Sequence, residues 1–116
     1  MSLESDLSAL LLTVCPRVFP DVAKATTARP FITWQQVGGD VLQPINGMAD
    51  KRNALVQINC WAERRIDANA LALAVETALV GATVFQARPQ SALVATNDDD
   101  TDLRGAMQDF SIWASR

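Results

Sequence analysis

The hydrophobic rhythm of the chain changes from the period of a strand to that of a helix within one short segment. Apolar residues alternate with polar residues or tryptophan from Val56 to Ala62, which predicts a half-buried strand over residues 53 to 62. Helical spacing takes over at Ile66 and predicts a helix that ends near Val80, just before Gly81. The many alanines of this helix favour close packing against a sheet.

The remaining segments complete the expected order of elements. The chain begins with leucines at helical spacing, in the segment LESDLSALLLTV, and continues through a proline-rich connection, PRVFPDVAKATTARP. Two further strands are predicted, at FITWQQV and at AMQDFSIWA near the end of the sequence. The runs ATVFQA and SALVAT are interrupted by Arg88 and Pro89. They form either a hairpin or one strand broken by a bulge, because proline does not fit a central uninterrupted strand.

This order predicts the fold class. We expect a single α+β domain over residues 1 to 116, in which an antiparallel sheet of about four strands carries two helices on one face. A chain of 116 residues is long enough for one modest core. The order along the chain is helix, strand, strand, helix, strand or strands, strand.

The chain contains no histidine. Histidine is the usual general base near neutral pH, the commonest metal ligand and the partner that activates serine or cysteine nucleophiles. The easiest routes to catalysis are therefore closed. The missing histidine does not by itself exclude catalysis, since carboxylates can also serve as a paired acid and base.

The charge pattern restricts the class of partner. The formal net charge is −3 and the isoelectric point is about 4.7, so no broad basic face is expected to bind nucleic acid. No apolar run approaches the ~20 residues that a membrane helix needs. Glu4 and Asp6 stand where a signal peptide would carry positive charge, so no secretion signal is expected.

Two groups of side chains resemble reactive sites only in part. Cys15 and Cys60 lie among apolar neighbours and are predicted to be buried free thiols, in preference to a disulfide. The aspartates at 98, 100 and 102 have the first three ligand spacings of a calcium loop, but Leu103 replaces the required glycine, and Asp109 at the twelfth position falls in a predicted strand. A solvated loop is favoured over a metal site.

The tryptophans point to a contact surface. Strand alternation places Trp61 and Trp113 on the face opposite the apolar side of their strands, and Arg64 and Arg65 follow Trp61 at the corner where the helix begins. Tryptophan and arginine are enriched at protein interfaces. These four residues are therefore candidate interface residues, and the alternative is that each tryptophan covers a sheet edge within its own chain.

The segment from Gly38 to Arg52 has apolar residues without an obvious core to join, and these are Val41, Leu42, Ile45 and Met48. Apolar side chains in an exposed segment indicate a partner surface. We predict a loop that is mobile in the free protein and becomes ordered against a neighbouring subunit or other partner. The alternative is an extended hairpin tip packed on its own domain.

Several segments together resemble a known family. RVFPDVA, RPFITWQQVGGD, VQINCWA leading into an alanine-rich helix, and DDDTDLRGAMQDFSIWA occur in an order and spacing similar to those of the tailed-phage tail completion (tail terminator-like) proteins. The resemblance covers roughly residues 5 to 114. The chain departs from the family pattern around residues 82 to 96, where Arg88 and Pro89 interrupt the expected strands.

The resemblance implies a structural virion protein of a phage or prophage. Such a protein caps the end of the tail tube and joins it to neck or head-completion proteins. It is not an enzyme, and the resemblance implies no catalytic residue and no cofactor. It assembles as a ring, commonly a hexamer, from copies that can be monomeric when free. The implied location is the virion tail, assembled in the bacterial host cytoplasm. Two alternatives stay open from the residues alone: an acidic metal-binding or enzymatic module built on the aspartates from 98 to 109, and a generic dimeric adaptor.

Overall fold

The computed structural model describes residues 3–21, 23, 27–39, 51–98 and 102–115. Two helices and six strands lie in these ranges. In chain order they are α1 (Leu3–Leu12), β1 (Val18–Pro20), β2 (Phe31–Gly38), β3 (Lys51–Ala62), α2 (Arg65–Val80), β4 (Gln86–Pro89), β5 (Val94–Asp98) and β6 (Leu103–Ser115). The predicted α+β class is confirmed.

The sheet is larger than the sequence predicted, and it is mixed. Its order is β1-β2-β3-β6-β4, with β5 also paired to β6. All of these pairs are antiparallel except that of β1 with β2, which is parallel. The expectation of about four antiparallel strands is therefore wrong in number and in direction. It missed β1 because this strand has only three residues and ends at Pro20, within a stretch whose prolines predicted an irregular connection.

The segment around Pro89 forms one edge strand interrupted in the middle. β4 pairs with residues 110 to 113 of β6, and β5 pairs with residues 103 to 107 of the same strand. Residues 90 to 93 lie between the two ladders and stand opposite only Gln108 and Asp109. Of the two predicted alternatives, the strand broken by a bulge is therefore the correct one. Pro89 is tolerated because its strand lies at the edge of the sheet.

Both helices pack on one face of the sheet, as predicted. Alternate residues of β3 and β6 face them and are almost fully buried; these are Val56, Ile58, Cys60, Phe110 and Ile112. The facing side of α2 carries small residues at Ala68 and Ala72 followed by Val75 and Leu79. The small side chains let the helix axis come close to the sheet, and α1 completes the core with Leu3, Leu7 and Leu11.

One ion pair ties α1 to the sheet. Arg52 of β3 donates to Glu4 at 2.7 Å and to the Gln36 side chain at 2.9 Å. The hydrogen bond from Arg52 lowers the pKa of Glu4 below its ordinary value. The stabilisation from this pair is therefore complete above the ordinary carboxyl pKa and is lost as the pH falls through the lowered value. Both side chains are about a third or more exposed, so the contribution is at most about 1 kcal/mol.

Two glycines near element ends have different roles. Gly81 follows α2 as predicted, but its φ of −85° is right-handed, and its N–H donates to the Thr77 carbonyl. Gly39 has a φ of +152°, and a Cβ there would lie 2.5 Å from the Asn53 carbonyl oxygen. Only glycine fits at Gly39, directly after β2.

Replacing Leu7 by alanine is expected to destabilise the protein by about 2–5 kcal/mol, because the side chain is fully buried between α1 and the sheet. The matched control is Leu12→Ala on the same helix, where the leucine is 51% exposed. The control should change the free energy of unfolding by less than about 0.5 kcal/mol. Chemical denaturation followed by circular dichroism measures both, and equal losses for the two variants would contradict the described packing of α1.

Candidate functional site

The face of the sheet opposite the helices is not covered by either helix. We call this surface the open face and define it by residues of the three longest strands. They are Phe31, Thr33 and Gln35 of β2, Asn53, Leu55, Gln57, Asn59 and Trp61 of β3, and Leu103, Gly105, Met107, Asp109, Ser111 and Trp113 of β6. The face mixes large apolar groups with amides and one carboxylate, a composition typical of contact surfaces.

Trp61 lies at one end of the open face and is held there by its neighbours. Its indole Nε1 donates to the Thr33 hydroxyl at 3.3 Å. Directly across the β3–β6 ladder stands Gly105, where a Cβ would lie 2.8 Å from the Trp61 ring and 2.7 Å from the Thr96 methyl group. The ring therefore occupies the space that any larger residue at Gly105 would need.

A shallow pocket of about 270 Å³ opens beside this tryptophan. It is lined by Asp21, Ala23, Phe31, Thr33, Asn59, Trp61 and Leu103. Phe19 of β1 packs edge-on against Phe31, with ring centroids 6.5 Å apart. This end of the open face is therefore a concavity lined by both aromatic rings and polar side chains.

Trp113 lies at the opposite end of the same face. It pairs with Asn53, eight residues before Trp61 on β3, which corresponds to a separation of roughly 26 Å along the strand. The side-chain amide of Asn53 donates to the Ser111 hydroxyl at 2.9 Å and to the Ile112 carbonyl at 3.3 Å. Both tryptophans are partly exposed. They point away from the helices as predicted, but they are not neighbours.

The two arginines at the strand-to-helix corner differ from each other. Arg64 is exposed and its backbone carbonyl accepts the N–H of Ala68 in the first turn of α2. Arg65 is partly buried and its guanidinium donates to the carbonyls of Gly105 and Thr96. Arg65 therefore clamps the β5–β6 ladder to the start of α2, a structural role that the sequence did not indicate.

The predicted site residues are thus only partly brought together. Trp61 and Arg65 meet around Gly105, whereas Trp113 lies at the other end of the sheet. Val41, Leu42, Ile45 and Met48 lie outside the described residues, so their predicted role stays a prediction. Sequence reasoning missed Gly105, although an isolated glycine inside a strand is a known indication of close approach by a neighbouring group.

The aspartates that raised the metal alternative are described only in part. Asp99 and Asp100 lie outside the described residues, and Asp102 forms an exposed ion pair with Arg104 at 3.2 Å. Asp109 lies on the open face of β6, and its backbone N–H donates to the Ser91 hydroxyl. In the described ranges, no three cysteine, aspartate or glutamate side chains converge as a metal site would require.

Cys15 and Cys60 are buried free thiols, as predicted. Burial raises the pKa of Cys60 to about 12, so this thiol stays protonated and unreactive near neutral pH. Neither α1 nor α2 combines the length and the apolar character that crossing a membrane would require.

Residues 3–115 match a family model described as Tail completion protein gp17. The chain belongs to this tail completion family. The family resemblance seen in the sequence is confirmed, and with it a structural role in tail assembly, which argues against an enzymatic activity.

The fold of this family member is also found in solved structures. One is a chain from the "Virion of native gene transfer agent (GTA) particle", which is 21% identical, with a TM-score of 0.59. The match covers 98% of this chain and 89% of that chain, so essentially the whole fold is shared. No curated protein sequence matches the chain.

Replacing Gly105 by alanine is expected to destabilise the protein by about 1–3 kcal/mol, because the added methyl group displaces the Trp61 ring and Thr96. Gly38→Ala is the matched control, since a Cβ there meets only Leu55 at 3.7 Å. The control is expected to be neutral or slightly stabilising. Denaturation curves give the energies, and near-ultraviolet circular dichroism reports the tryptophan environment. An unchanged spectrum and stability for Gly105→Ala would refute the contact.

Both thiols are expected to resist a water-soluble thiol reagent in the native protein at pH 8, because Cys15 and Cys60 are only 2% and 1% exposed. Two equivalents should react in denaturant. The raised pKa of Cys60 favours the neutral thiol in the folded state, so its contribution to stability is complete below the ordinary thiol pKa near 9 and is lost as the pH rises towards 12. Rapid labelling of either thiol at pH 8 without denaturant would contradict its burial.

Proposed function

We propose that the protein forms a ring at the end of a phage or prophage tail tube and joins the tail to the neck beneath the capsid. The observation that carries this proposal is the family match over residues 3–115. The similar fold of a chain from a gene transfer agent virion supports it, because that particle contains a protein of this shape. Six copies per ring are proposed, with assembly in the cytoplasm of the bacterial host.

The open face supplies contact surfaces of the kind this role needs. Trp61 and Trp113 present large, rigid side chains at its two ends, and tryptophan contributes disproportionately to binding energy. Arg64 is exposed beside the first of them. We assign direct contacts with a neighbouring subunit, the tube or the neck to Trp61, Trp113 and Arg64. Arg65 supports these contacts by holding the corner in place.

The proposal is tested in the phage or prophage that carries the gene. Particles lacking the protein should appear in electron micrographs as separated heads and tails, with tails of irregular length. Supplying the wild-type protein should restore joined particles. Particles that stay joined, with tails of normal length, after deletion of the gene would overturn the proposal.

The contact assignment has its own test. Trp113→Ser should reduce the yield of joined particles at least tenfold while changing the melting temperature little, because the side chain is only partly buried at one end of the sheet. The matched control is Leu12→Ser, which removes an exposed apolar side chain from the helix side and should leave assembly intact. Equal yields from the two variants would remove Trp113 from the contact.

Gene order gives an independent check. Genes for the portal, head-completion and tail-tube proteins beside this gene are the expected neighbours. A location within a metabolic operon would count against the virion role and favour an adaptor.

A further inference from the structure

Helix α2 has a second apolar stripe, on the side that faces solvent. Ile66, Leu73 and Val80 are 65%, 59% and 56% exposed, and they follow one another at intervals of seven residues. Ala70, Ala74 and Thr77 lie between them and are also exposed. We call these six residues the outer stripe. A surface helix normally places polar side chains opposite its core face, so α2 is apolar on two sides.

The spacing of the outer stripe is that of a helix-pairing seam. Residues 66, 70, 73, 77 and 80 alternate intervals of four and three, the pattern by which one helix packs along another. The three large side chains are separated by small ones, which let an opposing helix approach closely enough for its own large side chains to meet them. A single exposed valine or leucine is common on protein surfaces, whereas a continuous apolar stripe indicates a contact surface.

We propose that the outer stripe binds the outer stripe of a second copy of this chain, with the two α2 helices antiparallel about a two-fold axis at Leu73. In this arrangement Leu73 meets Leu73 of the second copy, and Ile66 meets Val80. The stripe is self-complementary because its large residues are spaced evenly on both sides of Leu73. None of the six residues of the outer stripe belongs to the open face, and the pair does not depend on the proposed ring. Arg64, at the start of α2, is the one residue that serves both proposed contacts.

The charges around α2 select the antiparallel direction. Arg64 is exposed, and the structure gives its side chain no partner among the described residues. The last turn of α2 has no basic residue to meet its carbonyls. Antiparallel pairing brings Arg64 of one copy to that uncompensated helix end of the other. Parallel pairing would instead place Arg64 beside Arg64 and Asp67 beside Asp67, which is repulsive.

The area of the stripe limits the strength of the pair. The three large side chains expose on the order of 300 Å² of apolar surface per copy, which the pair can bury. This area is well below the ~800 Å² that each partner buries in a standard stable interface. The dimer is therefore weak and reversible, with a dissociation constant on the order of 10⁻⁵ to 10⁻⁴ M. Dilute protein is monomeric, and copies pair only where they are concentrated.

Engineered cysteines test the geometry, because the native thiols are buried and do not interfere. Leu73→Cys is expected to form a disulfide-linked dimer on mild oxidation at about 100 µM, a concentration at which the pair is populated. Ile66→Cys and Val80→Cys should link when mixed but not singly, since each is roughly 21 Å from its own equivalent across the axis. The control is Leu12→Cys, exposed on α1 and outside the stripe.

Each cross-linking outcome decides the proposal. Leu73→Cys that links no faster than Leu12→Cys would overturn it. Linking of Ile66→Cys alone as efficiently as the mixture would overturn the antiparallel direction. A disulfide between two copies of Leu73→Cys, together with one between Ile66→Cys and Val80→Cys, supports both the pairing of the stripes and its antiparallel direction.

Sedimentation equilibrium measures the same pair without cross-linking. The wild-type chain should show a monomer–dimer equilibrium between ~1 and ~500 µM, and Leu73→Asp should raise the dissociation constant at least tenfold. Leu12→Asp should leave it unchanged. A wild-type chain that stays monomeric throughout would overturn the proposal. A dissociation constant that is the same for the wild-type chain and Leu73→Asp would also overturn it, while leaving the proposed ring at the tail tube intact.

Discussion

The antiparallel pairing of β3 with β6 is the constraint on which the other features of this protein depend. Twelve consecutive residue pairs join the two strands, from Lys51 with Ser115 to Ala62 with Arg104. Because side chains alternate between faces, this one register sends Val56 and Phe110 to the helices and Trp61 and Trp113 to the open face. A slip of one residue in either strand would exchange core and surface along the full length of that strand.

The same ladder explains why Trp61 and Arg65 converge on Gly105. The register places Gly105 across from Trp61, and the end of β3 at Ala62 brings the first turn of α2 back over the β5–β6 ladder. The tryptophan then covers one side of the glycine, and the arginine binds its carbonyl. Arg65, which the sequence indicates as a surface contact, is therefore part of the framework that fixes the strand-to-helix corner.

The sequence predicted the parts of the fold in which periodicity is long and regular. The switch at Ile66, the two faces of β3 and the burial of both thiols follow from alternation and helical spacing, and each is found in the structure. The three-residue strand β1 could not be predicted, because its pairing with β2 depends on distant backbone rather than on its own residues. The role of Arg65 was equally hidden, since its acceptors are carbonyls 31 and 40 residues away.

The interrupted edge strand has a consequence for how copies of this protein can meet. Residues 90 to 93 break the ladder between β4 and β5, Pro89 lacks an N–H, and the opposite edge, β1, is only three residues long. In the part of the chain that the structure describes, neither border of the sheet therefore offers a long, flat row of hydrogen-bonding groups to another sheet. Such borders disfavour open-ended pairing of sheets into fibres. Recognition between copies then depends on side chains, whose shape and charge discriminate between partners better than backbone groups do.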